Sequence, residues 1–457
     1  MRAKPDQRAG EMTGEGDSPR RRLPSVDRVL SSPEARDAIA RFGREGFKKA
    51  VVDHLQALRS AERPGDPSID SVCEAAGRAI GERLSPSLRP VINGTGVIIH
   101  TNLGRSPIGR EVWNRAGDLV TRYSNLEYDL DNATRGSRHA HIDVLAGEVF
   151  GCEAAILTNN NAGATLLLLA TLASGKEVIV SRGELVEIGG SFRVPDVIQQ
   201  GGARLREVGT TNRTRAADYR NALSDETAAI LRVHRSNFEI TGFTESPALG
   251  DLVELARGGV PLLYDEGSGR VVSLEKYGFG DEPSIREVLA SGVDVVTCST
   301  DKLIGATQGG LILGRREIID RCRRHPLMRA LRAGKESYGV ICETLRIFAA
   351  GQHETGIPIY QMLAASLESL RARAEALVAG TAAEVIEARS VLGGGTTPSE
   401  SIASVGIRVA GDANEVAARF LRLDVPVVGR IQADSFTLDL RTVLEEEDEL
   451  VRKALGG

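Results

Sequence analysis

The 457-residue sequence predicts an α/β protein with a mostly parallel central sheet, an N-terminal helical module and a smaller C-terminal α+β domain. Three observations carry this. Between residues 140 and 340, short β-branched runs alternate with helical patterns, the signature of β-α-β units around a sheet covered on both faces. Before that region, apolar residues recur at helical spacing among basic ones. After about residue 345 the alternation gives way to one long helix and a few widely spaced strands. The expected organisation is a polar leader over 1–22, a basic helical module over 23–64, a linker helix over 65–90, a catalytic domain over 91–345 and an α+β domain over 346–457.

In order along the chain, residues 1–22 are rich in Gly, Arg, Glu and Pro and nearly free of aliphatics, so they read as disordered. Val29, Leu30, Ile39, Phe42, Phe47, Val51, Leu55 and Leu58 mark helices. Pro64, Gly65 and Pro67 break them. A further helix runs over 69–84. Residues 91–107 form neither a good helix nor a clean strand and read as a polar loop with Arg105 at its tip. Residues 154–157 are a strand, the asparagines 159–161 a turn, and 162–172 a strong helix with Asn161 near its N-cap. Strands follow at 177–180, 203–208, 229–234 and 261–265, with helices near 191–200 and 218–223 between them. Crossovers between parallel strands should be right-handed. Further on, 359–380 reads as one helix, 404–409, 426–431 and 435–440 as strands, and 414–423 and 445–455 as helices.

The stretch that organises the chain is Ser299-Thr300-Asp301-Lys302. A buried strand over 293–298 precedes it and a glycine-bearing turn leads to a second strand at Leu311-Ile312-Leu313. Lys302 therefore stands just past the carboxyl end of a strand, where ligands gather in open α/β sheets. Apolar walls there lower an amine's pKa and make it a nucleophile for a carbonyl cofactor, of which pyridoxal phosphate is the usual one. Asp265 also ends a strand and can face a ring nitrogen. The Asn160-Asn161 turn, before a helix N-terminus, and Ser299 can hold a phosphate.

Composition narrows the class. Five cysteines (Cys73, Cys152, Cys298, Cys322, Cys342) are scattered and never form a C-x-x-C pair, which points to a reducing cytoplasm and away from a structural zinc. No apolar run approaches the ~20 residues that a membrane span needs, and no secretory signal is expected. Net charge is −5, yet residues 20–59 carry ten Lys/Arg against five acids. A basic segment on an acidic chain suits a phosphate backbone.

Several long motifs resemble bacterial selenocysteine synthase, the L-seryl-tRNA(Sec) selenium transferase family. They include Val97-Ile98-Ile99-His100-Thr101-Asn102-Leu103-Gly104-Arg105, Val233-His234-Arg235-Ser236-Asn237-Phe238 and His325-Pro326-Leu327-Met328-Arg329-Ala330-Leu331-Arg332. Further matches lie at 123–130, 135–138, 181–193, 209–214, 267–269, 426–431 and 439–442. The resemblance implies the aminotransferase-like (fold type I) architecture and pyridoxal 5′-phosphate, with Lys302 forming the imine and Asp265 on the pyridine nitrogen. His234, in a matched motif, joins the cofactor-binding candidates. It implies that Arg105, Arg329 and Arg332 gather selenophosphate and that Asp301 helps position the seryl end of the tRNA. Water would leave to give aminoacrylyl-tRNA before selenium adds. Implied too are a tRNA-binding N-terminal module and a homo-oligomeric ring of dimers, a decamer, in the cytoplasm, with no DNA or membrane partner. Thr300, Thr307, Glu266 and Gly334 depart from the family pattern. The two threonines are expected at the phosphate cup and Glu266 near the ring. A lyase or transferase acting on a free small amino acid stays open as the alternative.

Overall fold

A computed structural model of the protein describes residues 23–60, 68–188, 192–235, 238–280, 282–394, 396 and 400–456. The expected leader, the break within 61–67 and the expected helix start near Ser191 lie outside these residues. The chain divides into two compact units at Arg89/Pro90.

In the first unit, helices α1 (Val26–Leu30), α2 (Arg36–Phe42), α3 (Arg44–Ser60) and α4 (Ile69–Leu84) share one core. Phe47, Val51 and Leu55 of α3 pack with Val72, Ala76 and Ile80 of α4. The helix over 69–84, expected as a linker, is thus part of the same core, because one face of it is apolar and needs a partner. Arg28, Arg36, Arg41, Arg44, Lys48, Lys49 and Arg59 are all exposed.

In the second unit, helices α5 (Arg110–Val120) and α6 (Ala140–Phe150) lead into a seven-stranded sheet. Its strands are β1 (Ala154–Thr158), β2 (Glu177–Ser181), β3 (Arg204–Val208), β4 (Thr227–Val233), β5 (Leu262–Gly267), β6 (Val295–Ser299) and β7 (Gly310–Gly314). Their spatial order is β1-β7-β6-β5-β4-β2-β3. Helices α7 (Asn161–Leu172), α8 (Val194–Gln200), α9 (Ala216–Ala222), α10 (Leu249–Ala256) and α11 (Ile285–Ala290) connect them. All ladders are parallel except those of β7, which runs antiparallel to both β6 and β1. Only the turn over 300–309 joins β6 to β7, too short for a crossover of a dozen residues or more, so the chain must reverse.

Both faces of the sheet are covered, as the β-branched runs require. Leu157, Ile179, Val296 and Leu311 face a core shared with α5 and α6, whereas Ile156, Val178, Val295 and Ile312 face α7 and α8. Alternate residues of each strand therefore enter different cores.

Helices α12 (Arg316–Arg324), α13 (Leu327–Leu331) and α14 (Lys335–Ala349) follow. The expected domain boundary at 345/346 falls inside α14, whose uninterrupted apolar face carries it past that point. The single helix expected over 359–380 is two. After α15 (His353–Gly356), α16 (Pro358–Ala364) ends and α17 (Leu367–Val378) begins with Ser366 as its cap. The buried Arg441 guanidinium fixes the break by donating to the Met362 and Ala365 carbonyls, which a helix end leaves unpaired. The small sheet orders β8 (Glu384–Val391), β9 (Ser401–Val409), β10 (Arg430–Gln432) and β11 (Ser435–Asp439) as β8-β9-β11-β10. β8 escaped the sequence reading because Glu384, Glu387 and Arg389 interrupt its apolar residues and only Ser390 is buried. The strand expected over 426–431 is two pieces: Val427–Val428 pairs with Ile92–Asn93, and Gly429 turns the chain into β10. Helices α18 (Ala413–Leu421) and α19 (Asp448–Gly456) cover this sheet.

Candidate active site

A cleft of about 270 Å³ opens at the carboxyl ends of β4, β5 and β6. Arg105, Asn160, Asn161, His234, Asp265, Ser299, Asp301 and Lys302 all line it. Lys302 lies in the turn after β6, and its Nζ donates to the Gly267 carbonyl at 3.1 Å. Burial lowers the amine's pKa, and the nearby Arg105 charge lowers it further, against the pull of Glu266, Asp301 and Asp265. A buried lysine of this kind is a better nucleophile than a solvated one.

Asp265 is buried where β5 meets β4 and β6. Oδ1 accepts from Asn161 Nδ2 at 2.8 Å and Thr297 Oγ1 at 3.2 Å, and Thr165 Oγ1 lies 3.5 Å from Oδ2. Burial pushes its pKa up, with the Asn161 and Thr297 hydrogen bonds pulling the other way. Asn161 therefore orients the carboxylate, and its neighbour Asn160, not Asn161, caps α7 by accepting from Gly163 N at 2.7 Å.

The loop over 91–107 is docked on the lysine turn. Ser106 Oγ donates to the Lys302 carbonyl at 2.5 Å and Ser106 N to the Asp301 carbonyl at 3.2 Å. Arg105 takes φ +65°, rare for a residue with a side chain. That backbone places its Nη1 2.7 Å from Asp301 Oδ2. The other Asp301 oxygen, Oδ1, is buried without a protein partner.

Arg329 and Arg332 do not line the cleft of this chain. Nor do they share a helical face. α13 ends at Leu331, whose carbonyl accepts from Asn159 N, and Arg332 is extended at ψ 137°. Its Nη1 lies 3.6 Å from Glu127, which Arg138 also holds. Arg329 is exposed. Of the departing residues, Thr300 and Glu266 are occupied within their own turns, whereas the Thr307 hydroxyl is buried without a protein partner. Thr300 Oγ1 donates to the Thr307 carbonyl at 2.6 Å, and Glu266 accepts from Ser268 Oγ and from Gly269 N at 2.6 Å. Neither lines the cleft.

Thr165, Thr297, Gln308, Glu282 and Arg270 were not picked out from the sequence. Thr165 is one turn from Asn161 on α7, and Thr297 shares a face of β6 with Ser299, so their spacing held a signal. Glu282 and Arg270 held none.

The donor set fits pyridoxal phosphate. The buried Asp265 carboxylate receives only neutral donors, so it suits a protonated ring nitrogen. Lys302 opens onto the same cleft. Asn160, Asn161 and Ala162 at the start of α7 line it together with Gly309, and a Cβ on the adjacent Gly310 would stand 2.2 Å from the Asn160 carbonyl oxygen.

A family model described as L-seryl-tRNA selenium transferase matches residues 91–444, and one described as selenocysteine synthase N terminal matches residues 20–59. The chain belongs to the L-seryl-tRNA(Sec) selenium transferase family. A family member from Geobacter sulfurreducens is 45% identical over 95% of this chain and 98% of its own. Another, from Carboxydothermus hydrogenoformans, is 42% identical over 95% and 97%. Among solved structures, that of D-glucosaminate-6-phosphate ammonia-lyase is similar with a TM-score of 0.60 at 24% identity, covering 82% of this chain and 96% of its own. That likeness speaks for the fold, and the aminotransferase-like fold type I architecture stands.

Proposed function

We propose that this protein converts L-seryl-tRNA(Sec) to L-selenocysteyl-tRNA(Sec), with pyridoxal 5′-phosphate as cofactor and selenophosphate as selenium donor. The observation that carries the reading is Asp265 and Lys302 on one cleft in a chain that matches the selenium transferases over nearly its full length.

Lys302 would hold the cofactor, Asp265 would meet its ring nitrogen, and the start of α7 with Ser299 would take its phosphate. Bound there, pyridoxal phosphate supplies an electron sink for the serine α-carbon. Lys302 Nζ, lowered in pKa by burial, takes the α-proton. The β-hydroxyl takes a proton and leaves as water, selenium bonds to the β-carbon in its place, and hydrolysis of the Se–P bond releases phosphate. Arg105, with Asp301 on one side of its guanidinium, keeps donors for a compact anion. Arg329 and Arg332 complete that anion site in the assembly, and Asp301 positions the seryl end.

The exposed basic residues of α1–α3 bind the tRNA backbone. The protein is a homo-oligomer, a ring of dimers forming a decamer. Trp113, Tyr123, Tyr128, Leu130 and Val144, exposed on α5, α6 and the segment between them, suit burial against a second copy. All five cysteines are free, and no helix among the described residues is long and apolar enough to cross a membrane. Both fit a cytoplasmic enzyme.

Purified protein incubated with seryl-tRNA(Sec) and selenophosphate should form selenocysteyl-tRNA. Turnover of free serine with the charged tRNA untouched would overturn the reading. Lys302→Ala should abolish both the visible absorbance of the bound cofactor and turnover.

A further inference from the structure

His234 follows β4, and its backbone N–H donates to the Asp265 carbonyl at 2.9 Å. Its side chain is 14% exposed and lines the cleft. The ring is held by residues outside the cleft lining. Nε2 lies 3.1 Å from Glu282 Oε2, and the same oxygen accepts from Arg270 Nη2 at 2.7 Å. Arg270 is 1% exposed. Burial pushes the Glu282 carboxyl up, but the His234 hydrogen bond and charge with Arg270 outweigh it and leave it below the usual range. Glu282 is therefore ionised at neutral pH.

An ionised carboxylate only accepts hydrogen bonds. Nε2 must then carry a proton whichever charge state the ring is in. The other nitrogen, Nδ1, is buried and has no protein partner. Buried polar atoms are seldom left so in native sites, and one in a ligand cleft awaits the ligand.

We propose that Glu282, braced by Arg270, is a positioning residue that fixes the His234 imidazole with its proton on Nε2 and reserves Nδ1 as the hydrogen-bonding atom for the bound cofactor. The inference rests on the pyridoxal phosphate reading above and extends the site by two residues. Outer partners of this kind set the tautomer and orientation of functional histidines.

Reloading the apoprotein with pyridoxal phosphate, followed by visible absorbance, tests it with Glu282→Gln, His234→Ala and the double variant. Glu282→Gln should weaken cofactor binding about tenfold, the order expected when one hydrogen bond to a charged group is lost. It should also move the absorbance maximum. Neither effect should appear in the His234→Ala background, and Glu282→Asp, which keeps the carboxylate, should restore most of the affinity. Equal losses with and without His234, or wild-type affinity and spectrum in Glu282→Gln, would overturn the inference. Should Glu282→Gln not fold, Glu282→Ala takes its place: a loss seen only in the chain that keeps His234 supports the inference, and no loss, or a loss that persists in the His234→Ala background, overturns it. An unaltered protein that takes up no pyridoxal phosphate would instead overturn the function proposed above.

Discussion

Two buried ionisable groups, Asp265 and Lys302, line the cleft, and each is displaced from its ordinary pKa by burial. For Asp265 the folded pKa lies above the ordinary 3.8, so the folded apoprotein binds a proton that the unfolded chain releases. The stability this adds is present below that value and is lost as pH rises through the folded pKa. Asp265→Asn removes that cost, and its side-chain oxygen can still accept from Asn161 and Thr297. The apoprotein of this variant should melt on the order of 2 °C higher at neutral pH, while pyridoxal phosphate binding falls steeply. Calorimetry and visible absorbance on the same samples check both. For Lys302 the amine must be neutral to capture an aldehyde. Cofactor loading should therefore rise with pH and level off below the ordinary 10.5. Arg105→Gln removes a charge that lowers the amine's pKa, so the plateau should move to higher pH. An unmoved profile would show that Arg105 does not act on the lysine.

At the scale of elements, the cleft depends on close approach between β7 and the start of α7. Gly310 sits where any Cβ would meet backbone: the Asn160 carbonyl oxygen at 2.2 Å and Asn161 N at 2.7 Å. Neither neighbour can swing away as a flexible side chain could. Gly310→Ala should cost about 1–3 kcal/mol and weaken cofactor loading at the same time, because the displaced atoms belong to Asn160 and Asn161. Chemical denaturation and absorbance titration measure the two losses. The break between α16 and α17 offers a contrast far from the cleft. Ser366 caps α17 by accepting from Ser369 N at 3.1 Å. Ser366→Ala should cost about 1 kcal/mol and leave loading unchanged.

The whole molecule joins a basic helical unit to a catalytic one. Lys48 and Lys49 are exposed on α3, which packs through its opposite face. Charge reversal there, Lys48→Glu with Lys49→Glu, should weaken binding of the charged tRNA. Each lost phosphate contact should lower the slope of log affinity against log salt by roughly 0.7–0.9. Visible absorbance of the bound cofactor should not change. Binding isotherms over a salt series provide the measurement, and an unchanged slope would place the tRNA contact elsewhere.

By itself the sequence determined the covered sheet, the strand ends that bear Asp265 and Lys302, and the basic helical start of the chain. Those features are local: apolar periodicity, β-branched runs and glycine turns act within a few residues. Tertiary structure alone decided the rest. It put Asn161 on Asp265 rather than at the cap, kept Arg329 and Arg332 off the cleft of a single chain, and split a long helix at a break that Arg441 holds from far along the sequence. It also brought Glu282 and Arg270 to His234. Such pairings are made by side chains whose contacts depend on how distant segments pack, and no spacing along the chain encodes them.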